Sequence, residues 1–314
     1  MTRHLGMDVG GTKVALRVES GEGDAATPYE TSFRWAVGAD VREDMTALAA
    51  CLDRVRQSSA APITAAGIAM PATLDPSGTV LTWPNRPGWT GLDLRAELRR
   101  MLPGTVISCA DDGDLAALAE ARAIGCDDIV YLGVGTGIGG GVVLGGRLCP
   151  GPARGSCELG HLVVDRTGAV CDCGRRGCVQ AAASGPAILR RAEGLRGSAV
   201  EFTELQEAWA AGIPWGVAAI DEGCAVLAAA VVGAGELFHQ EVTVIGGGFA
   251  GGLPGFVDLV EQHARRLTRA GVPQPRIASA RLGGLSSLDG AVLLARDASE
   301  RAGRPTALQE SKWL

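Results

Sequence analysis

Three times in this chain a short apolar run ends in a glycine turn, and that recurrence narrows the possible folds more than any other feature. Leu5 to Val9 leads into Gly10-Gly11-Thr12-Lys13, Ile129 to Val134 into Gly135-Thr136-Gly137, and Val242 to Ile245 into Gly246-Gly247-Gly248. Each reads as a buried strand that turns sharply at its end. Glycine accounts for 46 of the 314 residues, about twice its ordinary share. It shows no collagen-like period, which assigns the surplus to tight loops and to backbone lying close to a ligand.

At the first two junctions a second apolar run follows, Val14 to Val18 and Ile138 to Leu144, so a strand–loop–strand unit occurs twice. Ile63 to Met70 and Val106 to Cys109 read as further buried strands. Elsewhere the pattern turns helical: Val41, Met45, Leu48, Leu52 and Val55 fall on one face. Leu115 to Arg122 is a strong helix with Asp114 placed as its N-cap. Val217 to Phe238 reads as a long alanine-rich helix, and Ser287 to Ala295 as a closing one. Strands alternating with helices give an α/β class. The pattern sets a smaller N-terminal domain over 1–113 and a larger C-terminal domain over 114–314, whose last helix is able to pack back on the first domain.

Charge and hydropathy remove several classes. Lys and Arg number 29 against 35 Asp and Glu, a net charge of −6, and no basic cluster offers a nucleic-acid surface. No stretch reaches the ~20 apolar residues that cross a bilayer; the longest, Cys224 to Gly235, falls short. The N-terminus carries no apolar leader, so a cytoplasmic protein that engages no membrane is expected. Nine cysteines, an odd number, do not describe a secreted disulfide framework. Cys51, Cys109, Cys126, Cys149, Cys157 and Cys224 read as small buried hydrophobes. The other three, Cys171, Cys173 and Cys178, cluster shortly after His161. Three thiolates and one imidazole complete a tetrahedral zinc set with no open position, a structural ion that would pin the loop from Glu158 to Gln180.

Asp111, Asp112 and Asp114 crowd the end of the Val106 strand. Only one acid caps the helix, and Asp114 takes that role in this reading. Asp112 is then left to accept a proton from a substrate hydroxyl, as phosphoryl transfer requires. Glu158 either hydrogen-bonds a polyol or is a surface acid. The Asp8 to Lys13 turn has neither P-loop nor Gly-x-Gly-x-x-Gly spacing. Alone, it is equally an ordinary turn or a cradle of backbone N–H groups for phosphate oxygens. The three glycine junctions together fit a nucleotide held in a cleft between two similar halves.

Five segments, Asp8-x-Gly10-Gly11-Thr12-Lys13, Asn85-Arg86-Pro87-Gly88-Trp89, Asp111-Asp112-Gly113-Asp114, Glu158-Leu159-Gly160-His161 and Cys171-x-Cys173-Gly174-x-x-Gly177-Cys178, resemble the ROK family of sugar kinases and sugar-responsive repressors. The resemblance runs from Asp8 to about Ala295. It implies the two-domain hexokinase/actin-like ATPase fold, with ribonuclease H-like halves and a structural zinc loop held by His161, Cys171, Cys173 and Cys178. It implies Asp112 as the catalytic base. ATP is expected with Mg²⁺ near Asp8, its phosphates held by Gly10, Gly11, Thr12, Lys13, Gly135, Thr136 and Gly137, its adenosine bordered by Gly246, Gly247 and Gly248. Asn85, Asp111, Asp112, Glu158, His161 and Gln180 are expected around the sugar, and a homodimer or homotetramer around the whole. The repressor branch carries an N-terminal helix-turn-helix, for which there is no room before residue 8, so no nucleic-acid partner is expected.

Two sugar-facing positions depart from the glucose-kinase pattern: Asp111 stands for an asparagine and Gln180 for a glutamate, while Pro71-Ala72 replaces the frequent Pro-Gly. A carboxylate in place of an amide removes two donors and adds a charge, which is costly when buried unpaired. A substrate ammonium would satisfy it through a charge-assisted bond. The expectation is ATP-dependent phosphorylation of the 6-hydroxyl of an aminohexose such as kanosamine (3-amino-3-deoxy-glucose), a sugar phosphorylated in ansamycin antibiotic pathways. The alternatives are a glucokinase in which water or Arg86 solvates Asp111, a C7-cyclitol 7-kinase, and a non-enzymatic sugar sensor.

Overall fold

The computed structural model describes residues 2–20, 28–58, 60–151 and 154–303. The chain divides into two compact units, Met1–Leu115 with Ser287–Leu314, and Ala116–Ser286.

In the first unit, β1 (Arg3–Val9) and β2 (Lys13–Ser20) form an antiparallel hairpin around the first glycine turn, and β3 (Tyr29–Arg34) extends it. Next, α1 (Val41–Gln57) opens on a capping box: the Asp40 carboxylate accepts from the Arg42 and Glu43 N–H groups, and Glu43 accepts from Asp40 N–H. Its stripe of Met45, Leu48, Cys51, Leu52 and Val55 is buried, as an amphipathic helix on a sheet requires. Then come β4 (Ile63–Ala69), the small ribbon of β5 (Thr73–Leu74) and β6 (Val80–Thr82), α2 (Leu94–Met101) and β7 (Val106–Ala110). The sheet order is β3-β2-β1-β4-β7, with β4 parallel to both β1 and β7.

The next helix, α3 (Asp112–Ile124), begins earlier than the sequence pattern suggests. Asp111 rather than Asp114 is its cap. Asp111 Oδ1 accepts the Gly113 N–H at 2.9 Å, and its main-chain carbonyl accepts the Leu115 N–H at 3.0 Å. A short aspartate at a strand end folds its side chain onto the second amide beyond it, and glycine there offers no obstruction. Asp114 is thereby carried into the first turn and is 1% exposed, not a solvated charge.

In the second unit, β8 (Ile129–Val134), β9 (Ile138–Leu144) and β10 (Arg147–Cys149) repeat the hairpin and its extension. They are followed by α4 (Val179–Ala183), α5 (Gly185–Arg196), α6 (Phe202–Ala210), α7 (Pro214–Phe238), β11 (Val242–Gly246), α8 (Gly248–Gly251), α9 (Phe256–Leu267) and β12 (Arg276–Ser279). The order β10-β9-β8-β11-β12 reproduces that of the first sheet. The strand–loop–strand unit seen twice in the sequence is the opening of one sheet plan built twice.

By length and composition α7 could cross a membrane, with a mean hydropathy of 1.8 over its most apolar window. It is instead the core helix of its unit: Ala219, Ile220, Cys224, Leu227, Ala228 and Val231 are buried in the second hydrophobic cluster, and α9 and α5 pack along it. Of the cysteines read as hydrophobes, Cys51 and Cys224 are buried and the other four are half-buried.

The last helix, α10 (Ser286–Gly303), belongs from Ser287 onwards to the first unit. It lies directly on β1 and β4 because Gly6 and Gly67 present no side chain there. A Cβ on Gly67 would stand 2.0 Å from the Ala291 carbonyl oxygen, and one on Gly6 2.5 Å from Val292 Cγ2. Arg17 pairs with Asp289, and Arg296 with Glu19. Gly67→Ala is expected to lower the urea-measured stability by about 3 kcal/mol, since backbone must move. Gly194→Ala, in α5 with open space around it, is expected to raise stability by about 0.5 kcal/mol.

Candidate functional site

The first unit gathers five of the expected groups on neighbouring elements. Asp8 lies at the end of β1, half-buried, and receives the Ser287 hydroxyl on Oδ2 at 2.8 Å. Burial pushes its carboxyl above the usual range, opposed by the Ser287 hydrogen bond and by the charge of Lys13. The glycine turn that follows closes tightly, Gly10 N–H to Lys13 carbonyl at 3.0 Å, while Trp35 N–H reaches the Thr12 carbonyl at 3.1 Å. Asn85 comes from the segment after β6 and touches this turn, because a Cβ on Gly11 would fall 2.6 Å from Asn85 Cβ. Asp111 and Asp112 sit at the β7–α3 junction, both half-buried.

The helix cap engages one oxygen of Asp111. Its Oδ1 is committed to the Gly113 amide. An asparagine would cap with the same atom, so replacing it changes only the second atom, from an NH₂ donor to a charged acceptor. Arg86 Nε donates to the Gly11 carbonyl at 3.1 Å, and a terminal nitrogen pairs with Asp44.

In the second unit the loop between β8 and β9 is tied at three points. Gly135 N–H donates to the Gly137 carbonyl at 2.9 Å, the Gly185 N–H of α5 donates to the Gly135 carbonyl at 2.9 Å, and Ile138 N–H donates to Gln180 Oε1 at 3.0 Å. The structure therefore places the Gln180 carbonyl on the backbone of the second glycine loop. Thr136 is exposed at its tip. Gly246 ends β11, Gly247 has φ of +91°, and a Cβ there would lie 2.3 Å from the Val134 carbonyl oxygen. The third turn thus packs against the end of β8, beside the second.

Glu158 is exposed and accepts the Ser156 hydroxyl at 3.0 Å. The 3-10 turn Leu159–His161 that follows presses on β9, where a Cβ on Gly160 would stand 2.0 Å from the Ile138 carbonyl oxygen. The ligand atoms of His161, Cys171, Cys173 and Cys178 all lie within 4.8 Å of one another. Cys171 Sγ is 3.6 Å from His161 Nδ1, and the sulfurs of Cys173 and Cys178 are 3.7 Å apart. Burial pushes the Cys178 thiol up to about 11, whereas the Arg175 backbone N–H holds Cys173 down to about 6. Cys178 immediately precedes α4 and Gln180 lies in its first turn, so the cluster and the second glycine loop share one short helix.

Ser287, Trp35 and Asp44 escape the sequence reading. Each belongs to a segment with no motif, and each meets the site only through the fold.

Two sheets of one strand order, each opening on a strand–glycine-turn hairpin, with a Cys₃His cluster in the second unit, are the α/β architecture of the ROK sugar kinases. The ROK family profile matches residues 4–298, and the chain belongs to the ROK family. It is 51% identical over 292 residues to the kanosamine kinase of Amycolatopsis mediterranei (strain S699), covering 93% of this chain and 95% of that one. It superposes on the ROK hexokinase from Thermus thermophilus with a TM-score of 0.84 at 32% identity, covering 95% of this chain and 99% of the other. A ROK family glucokinase from Streptomyces griseus, solved in complex with glucose and AMPPNP, matches with a TM-score of 0.74 at 27% identity over 94% of this chain and 99% of its own.

The capping geometry generates its own test. Asp111→Ala is expected to lower stability by about 1 kcal/mol, and Asp111→Asn to leave it within about 0.5 kcal/mol of the parent, as read from urea unfolding.

Proposed function

We propose that this chain, an ATP-dependent sugar kinase, transfers the terminal phosphoryl group of ATP to the 6-hydroxyl of an aminohexose, kanosamine. Asp111 carries the substrate assignment. Its Oδ1 accepts the Gly113 N–H of the helix cap, and an aspartate where the family pattern has an asparagine favours a substrate ammonium over a neutral hydroxyl, through a charge-assisted bond. The 51% identity with a kanosamine kinase supports the same reading.

Asp112 is the proposed base. It occupies the first turn of α3, where the helix N-terminus favours negative charge. It accepts the 6-hydroxyl proton as O6 attacks the γ-phosphorus; the bond to the bridging oxygen breaks and ADP leaves. Such a transfer depends on alignment more than on covalent help. The N–H groups of Gly10, Gly11 and Thr12, with Lys13, serve the phosphates from the first unit. Gly135, Thr136 and Gly137 serve them from the second, where Gly246, Gly247 and Gly248 border the adenosine. Mg²⁺ fits beside Asp8, whose desolvated carboxylate gains from a nearby cation; when bound it neutralises phosphate charge. Asn85, Asp111, Glu158 and His161 face the sugar, and Gln180 serves first as anchor of the second glycine loop.

The Cys₃His cluster is assigned to structural zinc. A tetrahedral ion with bonds of about 2.3 Å to sulfur and about 2.0 Å to nitrogen separates its ligand atoms by about 3.5–3.8 Å. Two of the separations, 3.6 and 3.7 Å, match that spacing, and all four ligand atoms lie within 4.8 Å of one another. Four protein ligands leave no place for a reacting water, so the ion would brace the loop bearing Glu158 and α4.

Steady-state kinetics with ATP and a panel of sugars tests the reading. Kanosamine is expected to exceed glucose in kcat/KM by tenfold or more, and Asp111→Asn to abolish that preference. A preference for glucose in the parent would assign a glucokinase, and no turnover of any hexose or cyclitol a sugar sensor. Asp112→Ala is expected to reduce kcat by about a thousandfold without unfolding the protein. Metal analysis is expected to find one zinc per chain, lost in Cys178→Ser together with thermal stability.

A further inference from the structure

The first unit contains a buried ion pair that packing alone does not explain. Asp44, in the first turn of α1, is 2% exposed. It accepts the Trp89 Nε1–H at 2.8 Å and pairs with the Arg86 guanidinium. Arg86 lies over the Trp35 ring, 4.7 Å from its centroid, and Trp35 and Trp83 each meet Trp89 edge-on. An ion pair in such a place adds little stability over apolar groups of the same shape. What it supplies instead is a set of donors with fixed directions.

Those donors reach the first glycine turn. Arg86 Nε–H donates to the Gly11 carbonyl at 3.1 Å and Trp35 Nε1–H to the Gly10 carbonyl at 2.8 Å. Two successive carbonyls are thus drawn to one cluster. Because each peptide is planar and trans, fixing the Gly10 carbonyl also fixes the Gly11 N–H on the opposite side, and the Gly11 carbonyl likewise fixes the Thr12 N–H. Both N–H groups are turned away from the aromatic cluster. Arg86 also follows Asn85, whose Cβ abuts Gly11, so one side chain ties the turn to the neighbouring sugar-facing residue.

We propose that Arg86 and Trp35, with Asp44 as the counter-charge, are positioning residues that aim the Gly11 and Thr12 N–H groups at the nucleotide phosphates. The proposal rests on the kinase reading above. A turn left to water would sample several peptide orientations, and each would weaken the preorganised donors on which phosphoryl transfer depends.

Two substitutions separate this role from packing. Arg86→Lys keeps a cation beside Asp44 but lacks the second donor of the fork; Trp35→Phe keeps a ring but loses the N–H. In each, KM for ATP is expected to rise about tenfold, with sugar KM within twofold of the parent and melting temperature within a few degrees. Trp35→Phe decides alone if Arg86→Lys does not fold. A lower melting temperature with unchanged KM for ATP in the folded variants would assign the cluster to stability and overturn the proposal. So would parental values throughout. Failure of the parent protein to phosphorylate any sugar is a different result, and it removes the kinase reading itself.

Discussion

Much of the first unit depends on a contact between backbones: α10 resting on two strands that carry no side chain where it crosses them. With the Ala291 carbonyl only 2.0 Å from where a Gly67 Cβ would be, the helix sits closer to the sheet than a conventional layer spacing permits. Everything near its start follows from that approach. Ser287 is brought to Asp8, and Asp289 is brought to Arg17. A chain segment nearly three hundred residues from the first strand thereby holds the acid proposed to face Mg²⁺. Glycine here acts through its lack of volume, not through its freedom of rotation.

The same economy recurs in the second unit. Gly160 allows the Glu158–His161 segment to lie against β9, and Gly247 lets the third turn close on Val134. Gln180 then connects α4 to the loop after β8 through a single bond to Ile138 N–H. The cysteine loop, Glu158 at its start and the second glycine loop are therefore mechanically continuous within that unit. A structural ion at the cysteines would stiffen the whole series, although its ligands perform no chemistry.

The sequence makes local features legible and leaves distant ones hidden. The β1–β2 hairpin, the stripe of α1 and the Cys₃His cluster each depend on spacing within fewer than twenty residues, and such spacing is visible. The twofold sheet plan shows because both copies open on the same motif. The start of α3 is misread because three aspartates compete for one cap, and the winner is set by the short reach of Asp111 to Gly113 N–H. The bond of Gln180 to Ile138 N–H has no signal in the sequence, because it depends on how α4 packs beside β9. Asp44 lies on the apolar stripe side of an otherwise regular amphipathic helix, and nothing local indicates that Arg86 and Trp89 will meet it. Tertiary partners of this kind have no sequence signature.

The cap at Asp111 has a consequence for how such enzymes diverge. Aspartate and asparagine codons differ by one base, and both residues cap a helix through Oδ1. A lineage crossing between them keeps its fold at every step while the second atom switches between accepting and donating. The preference proposed for this position can therefore change without the destabilised intermediates that usually slow a change of specificity.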